Sequence, residues 1–198
     1  MDINPLETEQ IGIQTLEKRL MKSESNISLK IGVPKEVSND ERRICLTPGG
    51  ASVLIANGHE VFIEQDAGAE ANFTDEEFAD AGAEIALSID EVYKKSDMIV
   101  KVAPPADSEL ELLEKDQTLL SALHLGNTTE EFIDLLIKKN ITAIGFEFIK
   151  GEDKEFPIVR MMHEITGSMS LQIGAHYLEK TEGGQGIMLG GISGIPPA

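Results

Sequence analysis

The sequence predicts an α/β fold: a doubly wound, mostly parallel sheet with helices on both faces. Short runs rich in Ile, Val and Leu alternate with helical segments over residues 28–148, which is the pattern of parallel strands joined by crossover helices. Several helical segments begin at Ser or Thr, as capped helices do. Hydrophobic residues make up 41% and charged residues 26% of the 198 residues, a composition typical of a soluble globular protein with a core.

The N-terminal segment predicts a separate helix. Apolar residues recur at helical intervals on a polar background within residues 5–24, namely Leu6, Ile13, Leu16 and Leu20. We expect a helical extension over residues 1–27 that docks on the body of the protein or on a neighbouring subunit.

The body is predicted as alternating strands and helices. In chain order these are strand 28–34, helix 47–58, strand 59–64, helix 74–82, strand 83–87, helix 88–96, strand 97–102, helix 108–115, strand 117–124, helix 128–140 and strand 141–148. Thr47 caps the first of these helices, Pro48 occupies its first turn, and Asn57 with Gly58 ends it. The helix from Thr74 has an acidic first turn, as the helix dipole prefers. The order predicts a Rossmann-like or flavodoxin-like domain over residues 28–159.

The last segment, 160–198, is predicted as a long helix from Arg160 to Lys180 and a Gly-rich hinge. The spacing of Gly184, Gly186 and Gly190 is that of some nucleotide-binding loops. A phosphate-binding turn, however, needs a strand before its glycines and a helix start after them. Here a helix precedes the glycines and two prolines follow, which favours a connector whose backbone must bend and pack closely.

Charge and cysteine content exclude several classes of protein. The formal net charge is −18, and such a surface repels nucleic-acid backbones and anionic lipid. Cys45 is the only cysteine, so an internal disulfide and a cysteine-rich metal site are excluded. The histidines and carboxylates lack metal-ligand spacing. No segment has the apolar length of a signal peptide or membrane span. We expect a cytoplasmic protein.

Ligands of a doubly wound sheet bind beyond the carboxyl ends of its strands. Three segments are predicted to meet there: 34–48, 103–107 and 124–129. Arg42 and Arg43 stand in an otherwise acidic chain, and a guanidinium can hold a small carboxylic acid through two parallel hydrogen bonds. The alternative is a surface ion pair with Asp40 or Glu41.

His124 follows a predicted strand directly. An imidazole at a strand end can move protons near neutral pH, and the alternative is a hydrogen-bonded loop histidine. His59, in a turn, and His176, on the long helix, are expected to have structural roles.

Five segments together carry a family resemblance: 31–50, 58–85, 101–105, 119–125 and 162–194. The first contains Gly-Val-Pro-Lys-Glu, then Glu-x-Arg followed by Leu-Thr-Pro. In order and spacing, the chain resembles the alanine dehydrogenase and pyridine nucleotide transhydrogenase family from about residue 31 to residue 194. The resemblance implies that this is the first half of a longer enzyme whose nucleotide domain would follow, so the fragment alone is expected to be inactive.

The resemblance also implies a reaction and roles. NAD, bound mainly by the missing domain, would oxidise L-alanine to pyruvate and ammonia in a homo-oligomer, a hexamer or a dimer. Arg43 matches the arginine that binds the substrate carboxylate, and His124 matches the general acid and base. Glu36 and Glu41 match acidic positions with supporting roles near the substrate. Met162 and His163 match positions close to the nicotinamide.

One position departs from the pattern. Ala103 stands where alanine dehydrogenases have a second lysine that contacts the substrate. Lys101, two residues earlier and on the same face of the predicted strand, is a possible substitute. A transhydrogenase-like hydride-transfer subunit is the first alternative, although its members generally lack the histidine that His124 matches. The second alternative is a catalytically degenerate binding or assembly module, which Ala103 favours.

Overall fold

The computed structural model describes residues 28–38, 40–152 and 154–190, and in this part of the chain six strands form one parallel sheet. The strands are β1 (Lys30–Val33), β2 (Glu60–Glu64), β3 (Glu84–Ala86), β4 (Met98–Val100), β5 (Thr118–Ser121) and β6 (Thr142–Gly145). Their order in the sheet is β3-β2-β1-β4-β5-β6, the order of the Rossmann fold. The predicted α/β class is therefore confirmed. The predicted N-terminal helix lies outside the described residues.

Five helices connect these strands: α1 (Pro48–Ala56), α2 (Asp75–Asp80), α3 (Ile89–Lys95), α4 (Asp107–Leu112) and α5 (Glu130–Lys138). Four of them begin at hydroxyl caps. The side chains of Thr47, Thr74, Ser88 and Thr129 each accept a hydrogen bond from a backbone N–H in the first turn. Such caps bind amides that have no partner inside the helix, so these helix starts could be predicted from the local sequence.

The core has two layers, one on each face of the sheet. Val33, Val61 and Ile63 pack on one face against Ala51 of α1 and Phe78 of α2. The opposite face carries Ile99 and Leu119, which pack against residues of α3, α4 and α5, including Val92, Tyr93, Leu110, Phe132 and Leu136. Because the strands alternate their side chains between two covered faces, the sheet is central and its strands are apolar.

Strand β4 is shorter than the predicted strand 97–102. It ends at Val100, and the chain bends at Val102 and Ala103 before Pro104 and Pro105. Proline has no N–H to donate to a neighbouring strand, so the ladder cannot continue through these two residues. The prediction that Lys101 and Ala103 share one face of a strand is therefore wrong.

The contacts between residues divide the chain into two compact units. The first unit ends at Phe146, and the second begins at Glu147. The predicted boundary between residues 159 and 160 stays a prediction. In the second unit the long helix α6 runs from Pro157 to Tyr177. It begins three residues earlier than predicted because Pro157 occupies the first turn, where the N–H that proline lacks would have no helical partner.

The glycines after α6 fold back on its end. The N–H groups of Gly184 and Gly186 donate to the carbonyls of Glu179 and Leu178, both at 2.9 Å. A Cβ on Gly184 would collide with the backbone of Tyr177 and Leu178. These amides serve helix termination and do not form a phosphate cradle.

Candidate functional site

The strand order places a crevice beyond the carboxyl ends of β1 and β4. From β1 the chain proceeds toward β2 on one side, whereas from β4 it proceeds toward β5 on the other. This reversal leaves an opening between the two connections, where doubly wound folds bind their ligands. The segments after β1 and β4 contain six of the candidate site residues considered above, namely Glu36, Glu41, Arg42, Arg43, Lys101 and Ala103.

Lys101 lies buried beside this crevice, with 1% of its surface exposed. Its Nζ is 2.6 Å from Oε1 of Glu109 and 3.3 Å from Oε2 of Glu36. The Tyr93 hydroxyl donates to the same Glu109 oxygen at 3.4 Å. Burial, and then the Glu109 charge, raise the pKa of Tyr93, so the phenol remains a proton donor. In this arrangement the Lys101 ammonium is bound to two carboxylates, and contact with a substrate would require the network to open.

Glu36 connects the segment after β1 to the end of β4. Its Oε1 accepts a hydrogen bond from the Val102 N–H at 2.7 Å, across 66 positions of sequence. Its side chain is only 6% exposed. The other oxygen faces Lys101, so both carboxylate oxygens are directed at the end of β4.

Arg43 forms a two-point ion pair with Glu41. Its Nε lies 2.7 Å from Oε1 of Glu41, and its Nη2 lies 2.6 Å from Oε2. The hydrogen bond from Arg43 lowers the pKa of Glu41, and the hydrogen bond to Glu41 raises the pKa of Arg43. The Arg43 side chain is 54% exposed. Arg42 diverges, and its Nε approaches Glu70 at 4.0 Å. The acidic pairing considered for the arginines is thus present, with Glu41 as the partner of Arg43.

Cys45 also contacts β4. Its thiol donates to the Val100 carbonyl at 2.9 Å. Burial, and then the charge of Glu36, raise the pKa of the Cys45 thiol to about 12. At neutral pH this group is a protonated hydrogen-bond donor and a poor nucleophile.

His124 lies in the connection after β5 and has a left-handed backbone, with φ of 46°. Its carbonyl accepts from the Asn127 N–H at 2.8 Å and from the Thr128 hydroxyl at 3.2 Å. A non-glycine residue in this conformation costs about 1–3 kcal/mol, and such residues concentrate at functional sites.

His124 lines a cavity of about 280 Å³. Pro104 and Pro105, which follow β4, form part of its wall with Asp107 of α4 and Phe132 of α5. The histidine therefore faces the segment after β4, the same segment that Glu36 contacts through Val102.

Met162 and His163 lie next to each other on α6, in the second unit. The Met162 carbonyl accepts from the Thr166 hydroxyl at 2.8 Å. Their expected place near the nicotinamide stays a prediction.

Sequence reasoning missed Glu109, Tyr93 and Cys45 as neighbours of the site. Glu109 is 1% exposed, although its position in an acidic helix resembles that of a solvent-exposed residue. One signal was present: Lys101 continues a buried apolar strand, and a buried lysine requires a carboxylate partner. Local sequence does not show which carboxylate fills that role.

Neither a metal site nor a membrane-spanning helix is found among the described residues. They contain no group of three or more His, Cys, Asp or Glu side chains arranged to hold a metal ion. None of the helices within residues 28–38, 40–152 and 154–190 is long and apolar enough to cross a membrane.

Comparison with known proteins identifies close relatives. Residues 32–166 match the family model described as "Alanine dehydrogenase/PNT, N-terminal domain". The chain is 45% identical over 168 residues to the alanine dehydrogenase of Methanococcus maripaludis, a match that covers 85% of this chain and 45% of that protein. The chain thus spans about half the length of the curated relatives it matches.

Two solved structures superpose on this chain. An L-alanine dehydrogenase superposes with a TM-score of 0.81 at 38% identity, covering 86% of this chain and 46% of that one. A transhydrogenase from Sinorhizobium meliloti superposes with a TM-score of 0.56 at 24% identity, covering 61% and 35%. The second likeness shows the shared fold alone.

Proposed function

The chain belongs to the alanine dehydrogenase and pyridine nucleotide transhydrogenase family, matching its N-terminal domain, and from that membership we propose that it is the substrate domain of an NAD-dependent alanine dehydrogenase. The reaction is L-alanine + NAD⁺ + H₂O to pyruvate + NH₄⁺ + NADH + H⁺. The observation that carries the proposal is the placement of Arg43 and His124 after β1 and β5 at the carboxyl edge of one sheet.

Arg43 binds the carboxylate of pyruvate or alanine. A guanidinium has two edges that can each hold a carboxylate, and Glu41 uses the Nε–Nη2 edge. The substrate carboxylate binds to this guanidinium, and Glu41 fixes the orientation of the fork. Glu41 therefore has a supporting role, which agrees with its small exposed fraction of 14%.

His124 exchanges protons with the reacting carbon centre. In the amination direction ammonia bonds to the pyruvate carbonyl carbon, and His124 protonates the carbonyl oxygen as its π electrons move there. The imidazole then takes a proton from the new ammonium group and gives one to the departing hydroxyl, so that water and an iminium form. The hydride that reduces the iminium carbon comes from NADH when it is bound.

In this proposal NAD would be bound mainly by a nucleotide domain outside this chain, and Met162 and His163 would lie close to its nicotinamide. In agreement with this, the glycine amides that resembled a nucleotide loop donate to carbonyls at the end of α6. A homo-oligomeric assembly is part of the same proposal.

The experiment is reductive amination by the natural full-length protein that contains this chain, followed through the absorbance of NADH. We expect a rate that requires both pyruvate and ammonia, and a fall in kcat on the order of 10²–10⁴-fold in His124→Ala, the range for general acid–base catalysis. His59→Ala is the matched control. His59 accepts the Leu29 N–H at the amino edge of the sheet, so this variant keeps the wild-type rate. Unchanged turnover in His124→Ala would remove His124 from the mechanism.

A second candidate, a degenerate binding or assembly module, is favoured by one observation. Position 103 is alanine, and the nearby Lys101 is occupied by Glu36 and Glu109. Calorimetry of the full-length protein separates the two candidates: if neither pyruvate nor L-alanine binds, the result supports the module. The absorbance assay tests the third candidate, since NADH oxidation that does not depend on ammonia supports a transhydrogenase-like subunit.

A further inference from the structure

Both ends of the segment that carries Arg43 are attached to the chain at the end of strand β4 and just after it. At its start, Glu36 accepts the Val102 N–H at 2.7 Å. At its end, the Cys45 thiol donates to the Val100 carbonyl at 2.9 Å. Two side chains nine positions apart thus hold consecutive peptide groups of one chain segment, those on either side of Lys101.

The Glu36 side chain is held in place by buried ion pairs. Lys101 lies between Val100 and Val102, and its Nζ is 3.3 Å from Glu36 and 2.6 Å from Glu109 of α4. Oε2 of Glu109 also accepts the Ala106 N–H at 2.8 Å. Since these groups are buried, the ion pairs are weakly screened and each partner is costly to move.

We propose that Glu36 and Cys45 are positioning residues that set the place of the Arg43 guanidinium relative to the end of β4. This inference rests on the proposed function, in which Arg43 binds the substrate carboxylate. We call the contacts of Glu36 with Val102 and of Cys45 with Val100 the clamp. The clamp keeps the Arg43 guanidinium at a fixed distance from the segment that leads to Ala103 and the His124 cavity. With alanine at position 103, Arg43 must provide more of the carboxylate binding, so errors in its placement have a larger effect on affinity.

The test compares disruptive and conservative variants of the full-length protein. Glu36→Ala removes the acceptor, whereas Glu36→Gln retains an oxygen for the Val102 N–H. Cys45→Val removes the donor, whereas Cys45→Ser retains one for the Val100 carbonyl. We expect the two disruptive variants to raise KM for pyruvate about tenfold with kcat within about twofold of wild type, because substrate binding is lost in the ground and transition states alike. The conservative variants should recover most of that loss.

Gln117→Met is the control for general destabilisation. Gln117 is buried at the amino edge of the sheet, where its amide donates to the carbonyls of Tyr93 and Ser96 at 2.6 and 2.8 Å. This variant should lower the melting temperature and leave KM for pyruvate unchanged. An equal rise of KM in Gln117→Met would overturn the positioning role.

Hydrogen exchange provides a readout independent of catalysis. Amides of residues 40–44 should exchange faster in Glu36→Ala and Cys45→Val, and at the wild-type rate in Gln117→Met. If exchange is unchanged in both disruptive variants, the clamp does not exist. If exchange rises but KM stays constant, the clamp does not position a substrate-binding group. If the wild-type protein has no pyruvate-dependent activity, the proposed function fails, while the exchange result still decides whether Glu36 and Cys45 hold this segment.

Discussion

The Lys101 ammonium lies 2.6 Å from Oε1 of Glu109, with both side chains almost completely buried. Glu36 completes the group at 3.3 Å, so one cation stands between two anions under the carboxyl edge of the sheet. Three buried charges of this kind are tolerated only together, because each desolvated charge needs an opposite partner.

Lys101→Met should therefore be strongly destabilising. The substitution leaves two buried carboxylates without their cation, and we expect the free energy of unfolding to fall by about 3–5 kcal/mol. Urea denaturation measures the change. Lys95→Met is the matched control, since Lys95 pairs with Glu84 and Glu91 at the surface, where solvent screens the charges and the pairs add little to stability. An equal cost for the two variants would contradict the structural role of the buried network.

Arg43→Lys tests the carboxylate fork. Lysine keeps the charge but cannot hold Glu41 and a substrate through two parallel pairs of hydrogen bonds. Loss of a hydrogen bond to a charged group costs about 1.5–3 kcal/mol, so KM for pyruvate should rise on the order of 10- to 150-fold. Steady-state kinetics provides the measurement. Arg42→Lys is the control, because that side chain is 76% exposed and only 4.0 Å from Glu70, and it should behave as wild type.

Cys45 should resist alkylation in the folded protein. Thiolate is the reactive form, and burial and the charge of Glu36 raise the pKa of Cys45 to about 12. A raised thiol pKa lowers the thiolate fraction below pH 12. At pH 8 the native rate with iodoacetamide should be on the order of a thousandfold below the rate in urea.

The pH dependence sharpens the same test. The native rate should continue to rise about tenfold per pH unit beyond pH 9, whereas the rate in urea levels off near that pH, where an ordinary thiol is half ionised. Mass spectrometry follows the single cysteine. Similar native and unfolded rates at pH 8 would show that the thiol is accessible and ordinarily acidic.

Gly32→Ala should disturb the contact between β1 and α3. A Cβ at this position would overlap Oγ of Ser96 and lie 2.8 Å from Cγ1 of Val92. Overpacking of this kind costs about 1–3 kcal/mol, measurable as a lower midpoint in urea. Gly126→Ala is the control, since its Cβ would have no neighbour within 4 Å. Equal midpoints for both variants would show that α3 moves aside freely.

The sequence was sufficient for most of the fold because the signals involved are local. Hydroxyl caps such as Thr47 and Thr74 bind amides three positions away, and apolar runs mark strands wherever they occur. The end of β4 was less predictable. Apolar character continues to Val102, but the strand ends at Val100, and the chain bends at Val102 and Ala103 before two prolines.

The features of the candidate site also separate into those that the sequence determines and those that only the tertiary structure determines. The sequence by itself determined the candidates, Arg43 and His124, and the family to which they belong, since motif and spacing are properties of the chain. The tertiary structure alone decided that Lys101 is bound to Glu36 and Glu109, and that Glu36 and Cys45 attach the Arg43 segment to β4. The physical reason is distance along the chain. Contacts such as Glu36 with Val102 join residues 66 positions apart, and they exist only because the strand order brings β1 beside β4.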